Sequence, residues 1–189
     1  MKNLLLTLTL AFATLFVNGQ KLTMDPYHAK LQFAVTHMTI SSVDGEFKKF
    51  NVKLDHTKSD FSDAKFTVTA ETNSIDTGIE ARDNHLKSAD FFDVEKYPSL
   101  TFVTTSTTKG KSNNYILKGN LTIHGITKPV TLNLKYNGTT VNPMSKKQTY
   151  GFTVTGTFKR SDFSVGTNFP EAVVSDQVNL LSNLEFVAE

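Results

Sequence analysis

Ala64-Lys65-Phe66-Thr67-Val68-Thr69-Ala70-Glu71 alternates apolar and polar residues over eight positions. Successive side chains of a strand point to opposite faces, so this period of two marks a half-buried β-strand. The pattern recurs outward in both directions. Upstream, Leu31, Phe33 and Val35 share a face, as do Phe50, Val52 and Leu54. Phe47 and Phe50 have opposite parity, which predicts a β-bulge between them. Downstream come Leu100-Phe102-Thr104, then Tyr115 to Ile123. His124-Gly125 turns the chain into Val130, Leu132, Leu134 and Tyr136. Asn137-Gly138 followed by Asn142-Pro143 reads as the next connection. The last two strands carry Tyr150, Phe152, Val154, Gly156 and Phe158, then Val178, Leu180, Leu184 and Phe186. Eight such strands with short turns predict an all-β antiparallel barrel or sandwich with one or two short helices.

One segment breaks the alternation. Arg82-Asp83-Asn84-His85-Leu86-Lys87-Ser88-Ala89-Asp90-Phe91-Phe92 is polar, helix-capable and ends in two aromatics. A helix is expected within Ile79 to Phe92, capped by Asp76 or Thr77, with Pro98 marking the exit. An aromatic insert on a β scaffold suits the mouth of a cavity, so an apolar ligand is the first expectation. The stretch Ser161 to Ser175, with Phe163 and Phe169, exceeds a hairpin loop, and long loops in small domains tend to be functional.

Lys2 followed by the uncharged apolar run Leu4 to Val17 reads as a signal peptide over residues 1–19, with a mature start at Gln20. The run is shorter than the roughly 20 apolar residues a bilayer span needs, so no stable membrane insertion is expected. Residues 20–189 suit one domain. The expected location is periplasmic, or secreted. The formal charge of +2 is interspersed along the chain, and no basic face points to nucleic acid. The absence of cysteine removes disulfides, thiol catalysis and cysteine-ligated metal.

Enzyme signatures are sparse. The chain lacks a Gly-x-Ser-x-Gly elbow, a His-Glu-x-x-His pair and a phosphate-binding glycine loop. Its five histidines show no metal-ligand spacing, and neither metal nor cofactor is expected. Asp83, Asp90 and Asp93 cluster near Arg82 and His85. They suit either an acid–base pair or helix capping and ion pairing. Fifteen Phe and no Trp load the inward faces. An eight-stranded barrel either fills with side chains or holds one small ligand. The small inward residues Ala70, Gly119 and Gly156 are expected to leave room.

Four blocks together resemble the YceI-like family of periplasmic lipid-binding proteins. They are Asp25-Pro26-Tyr27-His28 with Leu31 to Met38; Ser74 to Gly78 through Arg82 to Asp93 and Tyr97-Pro98; Leu121 to Val130 around His124-Gly125; and Lys159-Arg160-Ser161-Asp162-Phe163. Two positions depart from the family pattern: Met24 stands where an aromatic is common, and Ser164 where glycine is. The resemblance implies an extended, lipocalin-like antiparallel barrel of eight strands. It also implies carriage or sequestration of a long-chain isoprenoid lipid, of pyrophosphate or quinone type, with no catalytic residues. Strands of about ten residues, tilted as in barrels, would give a lumen on the order of 25 Å deep.

On that reading the apolar wall comprises Phe33, Val35, Phe66, Val68, Phe102, Leu132, Leu134, Phe152, Val154 and Leu184. Phe91, Phe92 and Phe163 would line the mouth. Arg82 and Arg160 are the head-group candidates, since guanidinium matches phosphate bidentately. Pairing with Asp83, Asp90, Asp93 or Asp162 is the alternative for both. Two other readings stay open: an enzyme acting through Asp83 and His85, and a filled barrel serving as an interaction module. A homodimer also stays open.

Overall fold

The alternation that begins at Ala64 becomes a strand because both its neighbours accept its apolar face. In the computed structural model, which describes residues 20–189, this strand is β5, Lys65–Glu71. It pairs antiparallel with β4, Phe50–Asp55, and with β7, Ser99–Lys109. The remaining strands are β1 Leu22–Met24, β2 Lys30–His37, β3 Ser41–Phe47, β6 Ile75–Asp76, β8 Asn114–Ile123, β9 Ile126–Val141, β10 Gln148–Lys159 and β11 Gln177–Ala188. The expected signal peptide lies outside the described residues.

Eleven strands therefore stand where eight were expected. The difference is interruption, not extra topology. β1 and β2 lie successively along β11, through Leu22↔Ala188 and then Leu31↔Ser182. β3 and β4 are parted only by Lys48-Lys49, where the bulge was predicted, and β5 and β6 by a 3₁₀ turn at Thr72–Ser74. Joined across these breaks, the pieces form eight long strands. The ladder runs β4-β5-β7-β8-β9-β10-β11-β2-β3-β6. Its two ends lie on the same pair of long strands, so the sheet curls round on itself into a barrel.

The hairpins follow local chemistry. His124 (φ 52°) and Gly125 (φ 73°) are both left-handed and join the Ile123↔Ile126 pair, the two-residue turn that matches strand twist. Asn137-Gly138 is not a connection. β9 runs through it to Val141, and the turn is made at Asn142–Lys147, where the Asn142 and Lys146 amides donate to Lys147 O and Asn142 O. The local irregularity appears instead as a register shift opposite, between Gly151 and Phe152.

Among the described residues the single α-helix, α1, spans Glu80–Lys87. Neither Asp76 nor Thr77 caps it. Ile79 occupies the N-cap position without a side-chain bond. Asp83 instead reaches back, accepting from the Thr77 amide at 2.8 Å and the Thr77 hydroxyl at 2.5 Å. The order is reversed from a usual cap: the helix holds the loop that precedes it.

The barrel interior divides in two along its axis. At the end away from α1, Phe152 meets Phe61 at 5.0 Å, Tyr136 at 5.3 Å, and Phe66 and Phe186 at 5.9 Å. Aromatic pairs at this spacing contribute about 0.5–1.5 kcal/mol each beyond the area they bury. Phe61 enters from the loop between β4 and β5, which is tied by the Thr57 and Lys58 amides donating to Asp63 and by the Tyr115 hydroxyl donating to Asp60 O. At the other end the interior is open.

Glycines on the wall do not leave vacant space, contrary to the sequence expectation. The Phe102 ring occupies the space over Gly119, and Leu132 that over Gly156. The large residue is thereby pressed into the wall, and the lumen stays clear. A Cβ on Gly119 would stand 2.6 Å from Val103 O and against the Phe102 ring. Gly119→Ala should therefore lower the unfolding free energy by about 1–3 kcal/mol in urea titration, because a backbone carbonyl cannot yield. Ser164, where the family resemblance leads one to expect glycine, is left-handed at φ 57°. Ser164→Gly should raise stability by about 1 kcal/mol in the same assay, since it relieves the Cβ clash of that conformation.

Candidate functional site

The open half of the barrel holds a cavity of about 310 Å³. Its wall is inward-facing alternation from seven strands. Leu31, Phe33 and Val35 come from β2, Val43 and Phe47 from β3, Leu100 and Phe102 from β7, Leu121 and Ile123 from β8, and Val130 and Leu132 from β9. Phe158 of β10 and Val178 and Leu180 of β11 complete the ring. Two irregular segments cover it. Leu86, Phe91 and Phe92 come from α1 and the turn after it. Phe163, Val165, Phe169, Val173 and Val174 come from the 161–175 loop. Polar atoms enter only through Gln32, His37, Thr77, Arg82, His85 and Arg160.

Of the residues singled out from sequence, Phe33, Val35, Phe102, Leu132, Phe91, Phe92, Phe163, Arg82 and Arg160 line this space. Phe66, Val68, Leu134, Phe152, Val154 and Leu184 do not; they belong to the filled half or face it. Period-two parity tells inside from outside but carries no information about position along the barrel axis. Parity also marked Leu31, Leu100, Leu121 and Leu180, which sequence reading placed inward without assigning to a site. Phe169 was noted only as part of a long loop.

The cover is an aromatic cluster. Phe91 stacks on Phe169 at 4.7 Å and 22°, and His85 sits edge-on to both, at 5.1 and 5.4 Å. Phe92 meets Phe47 edge-on at 5.8 Å, and Phe163 meets Phe158 at 5.7 Å. His85 and His37 are exposed where the cavity opens, between α1 and the hairpin that joins β2 to β3. That hairpin is bound to the cover: the Met38 amide donates to Val173 O at 2.9 Å, and the Ser175 amide donates to Thr36 O.

The two arginines do different work. Arg160 is 7 % exposed, and all five of its N–H groups are engaged by backbone carbonyls. Nε donates to Ser175 O at 3.2 Å, Nη1 to Val165 O and Gly166 O, and Nη2 to Phe169 O at 2.7 Å and Val174 O at 3.0 Å. It has no donor left for a head group and no acidic partner. Its role is to fold the 161–175 loop around one side chain. Nearby, burial pushes the Asp176 carboxyl up. Hydrogen bonds from the Ser161 amide and hydroxyl, with the Arg160 charge, outweigh burial and hold Asp176 below the ordinary carboxylate range.

Arg82 is half-buried and uses only two of its donors, Nε to the Thr77 hydroxyl at 2.7 Å and Nη2 to Thr77 O at 2.8 Å. Three N–H groups remain beside the cavity. Thr77 in turn donates to Asp83, so the acid orients the arginine through a hydroxyl and makes no ion pair with it. Among the described residues neither arginine pairs with a carboxylate. Among the described residues Asp83 and His85 share no hydrogen bond: Asp83 serves Thr77, while His85 Nε2 meets Asp90 at 2.9 Å.

A separate group, Asp25, His28 and Glu185, brings ligand-type atoms within 4.8 Å of one another at the break between β1 and β2. Glu185 alternates with the inward Leu184 and Phe186, so this group sits on the outer face, away from the cavity. His28 and Asp25 satisfy each other at 2.9 Å, and that hydrogen bond raises the imidazole above its ordinary value.

The family model for the YceI-like domain matches residues 22–186. The chain belongs to the YceI-like family. A UPF0312 protein of Staphylococcus aureus (strain MSSA476) is 40% identical over 166 residues, covering 88% of this chain and 93% of the relative. Burkholderia cenocepacia BcnA superposes with a TM-score of 0.78 at 25% identity, over 86% of this chain and 98% of BcnA. The Campylobacter jejuni YCEI protein gives 0.74 at 33% identity, over 82% and 90%. A polyisoprenoid-binding domain from Saccharophagus degradans shares the fold, with a TM-score of 0.65 at 15% identity over 90% and 99%.

In this YceI-like chain the donor counts separate the arginines experimentally. Arg160→Ala leaves five carbonyls without their partner and should cost at least about 3 kcal/mol. Arg160→Lys should not restore it, because an ammonium cannot span the fork. Arg82→Ala should cost under about 1.5 kcal/mol. Urea titration of the three variants checks the order, and hydrogen exchange should localise the Arg160 effect to residues 161–175.

Proposed function

We propose that the protein is an exported carrier that encloses the apolar chain of an isoprenoid lipid. Its polar head, of pyrophosphate or quinone type, would sit at the mouth beside Arg82. The observation that carries this reading is the cavity itself: an almost wholly apolar space that opens past one arginine with three uncommitted donors. A volume of about 310 Å³ falls at the low end of the roughly 300–1,000 Å³ typical of small-molecule sites. Each methylene buried there stabilises binding by about 0.8 kcal/mol before ordering costs are subtracted. The polyisoprenoid-binding domain of Saccharophagus degradans, alike in fold, supports the same ligand class.

Binding is favoured over catalysis because the candidate carboxylate and imidazole are committed to separate partners, Asp83 to Thr77 and His85 to Asp90. The apolar run before Gln20 supports export, to the periplasm or the medium. Carriage, storage and sequestration are served by the same cavity.

Organic extraction of the purified protein, followed by mass spectrometry, should release one prenyl-chain lipid per barrel. Val35→Trp, which fills the lumen from a half-buried position, should reduce the retained lipid at least about tenfold while the fold persists by circular dichroism. An extract free of lipid from the wild-type protein, with no uptake of added prenyl lipid, would sink the proposal.

A further inference from the structure

Resting on that reading, we propose that the aromatic layer centred on Phe152 is a stop that fixes how many isoprene units the barrel admits. A lumen running the whole barrel would take a long chain. The observed one ends early. On β10, Phe158 faces the cavity, while Val154, four residues along the same face, does not. At about 3.4 Å per residue and an ordinary barrel tilt, that is on the order of 10 Å of depth. An isoprene unit of four chain carbons extends by roughly 5 Å, so that depth takes about two units. Units beyond these must leave through the mouth.

The floor resists being pushed aside. Phe152 is 1 % exposed and is surrounded by rings of Phe61, Phe66, Phe186 and Tyr136. Phe61 cannot retreat, because its loop is fixed by the Phe61 amide donating to Lys58 O and the Ala64 amide donating to Phe61 O. A chain that entered this layer would need several ring contacts to break together. Phe152 does not itself line the cavity: it lies two residues beyond Val154 on the same face and backs the floor, so it acts as a positioning residue for the stop. Phe61 positions it.

A ladder of prenyl alcohols tests the stop directly: prenol, geraniol, farnesol and geranylgeraniol, with one to four units, each titrated by calorimetry. In the wild-type protein each unit that fits should tighten binding at least about tenfold. The step from geraniol to farnesol should change it less than about threefold. Phe152→Ala should restore a gain of about tenfold or more at that step. Val154→Phe raises the floor from the opposite direction and should erase the gain from prenol to geraniol. It keeps the test decisive if Phe152→Ala fails to fold. A wild-type affinity that climbs evenly through geranylgeraniol, or two folded variants with the wild-type profile, would overturn the stop while leaving lipid binding intact. Failure of every alcohol to bind the wild-type protein would overturn both.

Discussion

A barrel of eight strands has room for its own side chains or for one small ligand, and this chain uses it for both by dividing it crosswise. The division depends on Phe61. The other rings of the filled half arrive on strands, at positions dictated by register. Phe61 arrives on a loop, with a left-handed backbone, and packs its ring against Tyr136, Tyr150 and Phe152. Once that ring is placed, Phe152, Phe66 and Phe186 pack against a fixed partner. The opposite end can then stay open without the barrel losing its core.

The open end is built on the same economy of fixed points. Arg160 collects five carbonyls from the 161–175 loop, so a long irregular segment is ordered by one buried side chain. Asp83 orders the chain before α1 through Thr77, and Thr77 orders Arg82. Phe91 and Phe169 then meet face to face because both of their backbones are already held. The cover is therefore two independently anchored pieces that touch at a ring pair. A cover of this kind can part there without unfolding either anchor.

Much of this was legible in the sequence, and the limits have physical causes. Alternation placed Leu31, Phe102, Leu132 and Leu184 inside, because the strand period is two and a buried face tolerates no slip. The opposite parity of Phe47 and Phe50 located the break at Lys48-Lys49. Parity cannot separate Leu132, which lines the cavity, from Leu134, which does not, since both point inward. Asn137-Gly138 carried a turn signature, yet the pairing of β9 with β10 on either side carried the strand through it. Asp76 and Thr77 were of capping type, but Asp83, inside the helix, took the bonds. The donors of Arg160 were beyond reach for another reason. Acidic neighbours in sequence suggested ion pairs, whereas its partners are backbone carbonyls brought in by the loop's path, which no residue type announces.

The hollow half carries an energetic cost that bears on what fills it. Unfilled apolar space destabilises by about 24 cal/mol per Å³, so 310 Å³ left empty would cost on the order of 7 kcal/mol. That is comparable with the entire stability of an ordinary domain. Water returns little: almost no polar atom lines the wall, and a buried water needs two or more partners. The continuous antiparallel ladder and the aromatic plug must therefore hold the barrel open against its own tendency to collapse. The Phe102 ring over Gly119 and the Leu132 side chain over Gly156 serve that end, since they thicken the wall instead of bridging the lumen. A chain that spends packing in this way to keep an apolar space clear recovers the cost only when an apolar molecule occupies it.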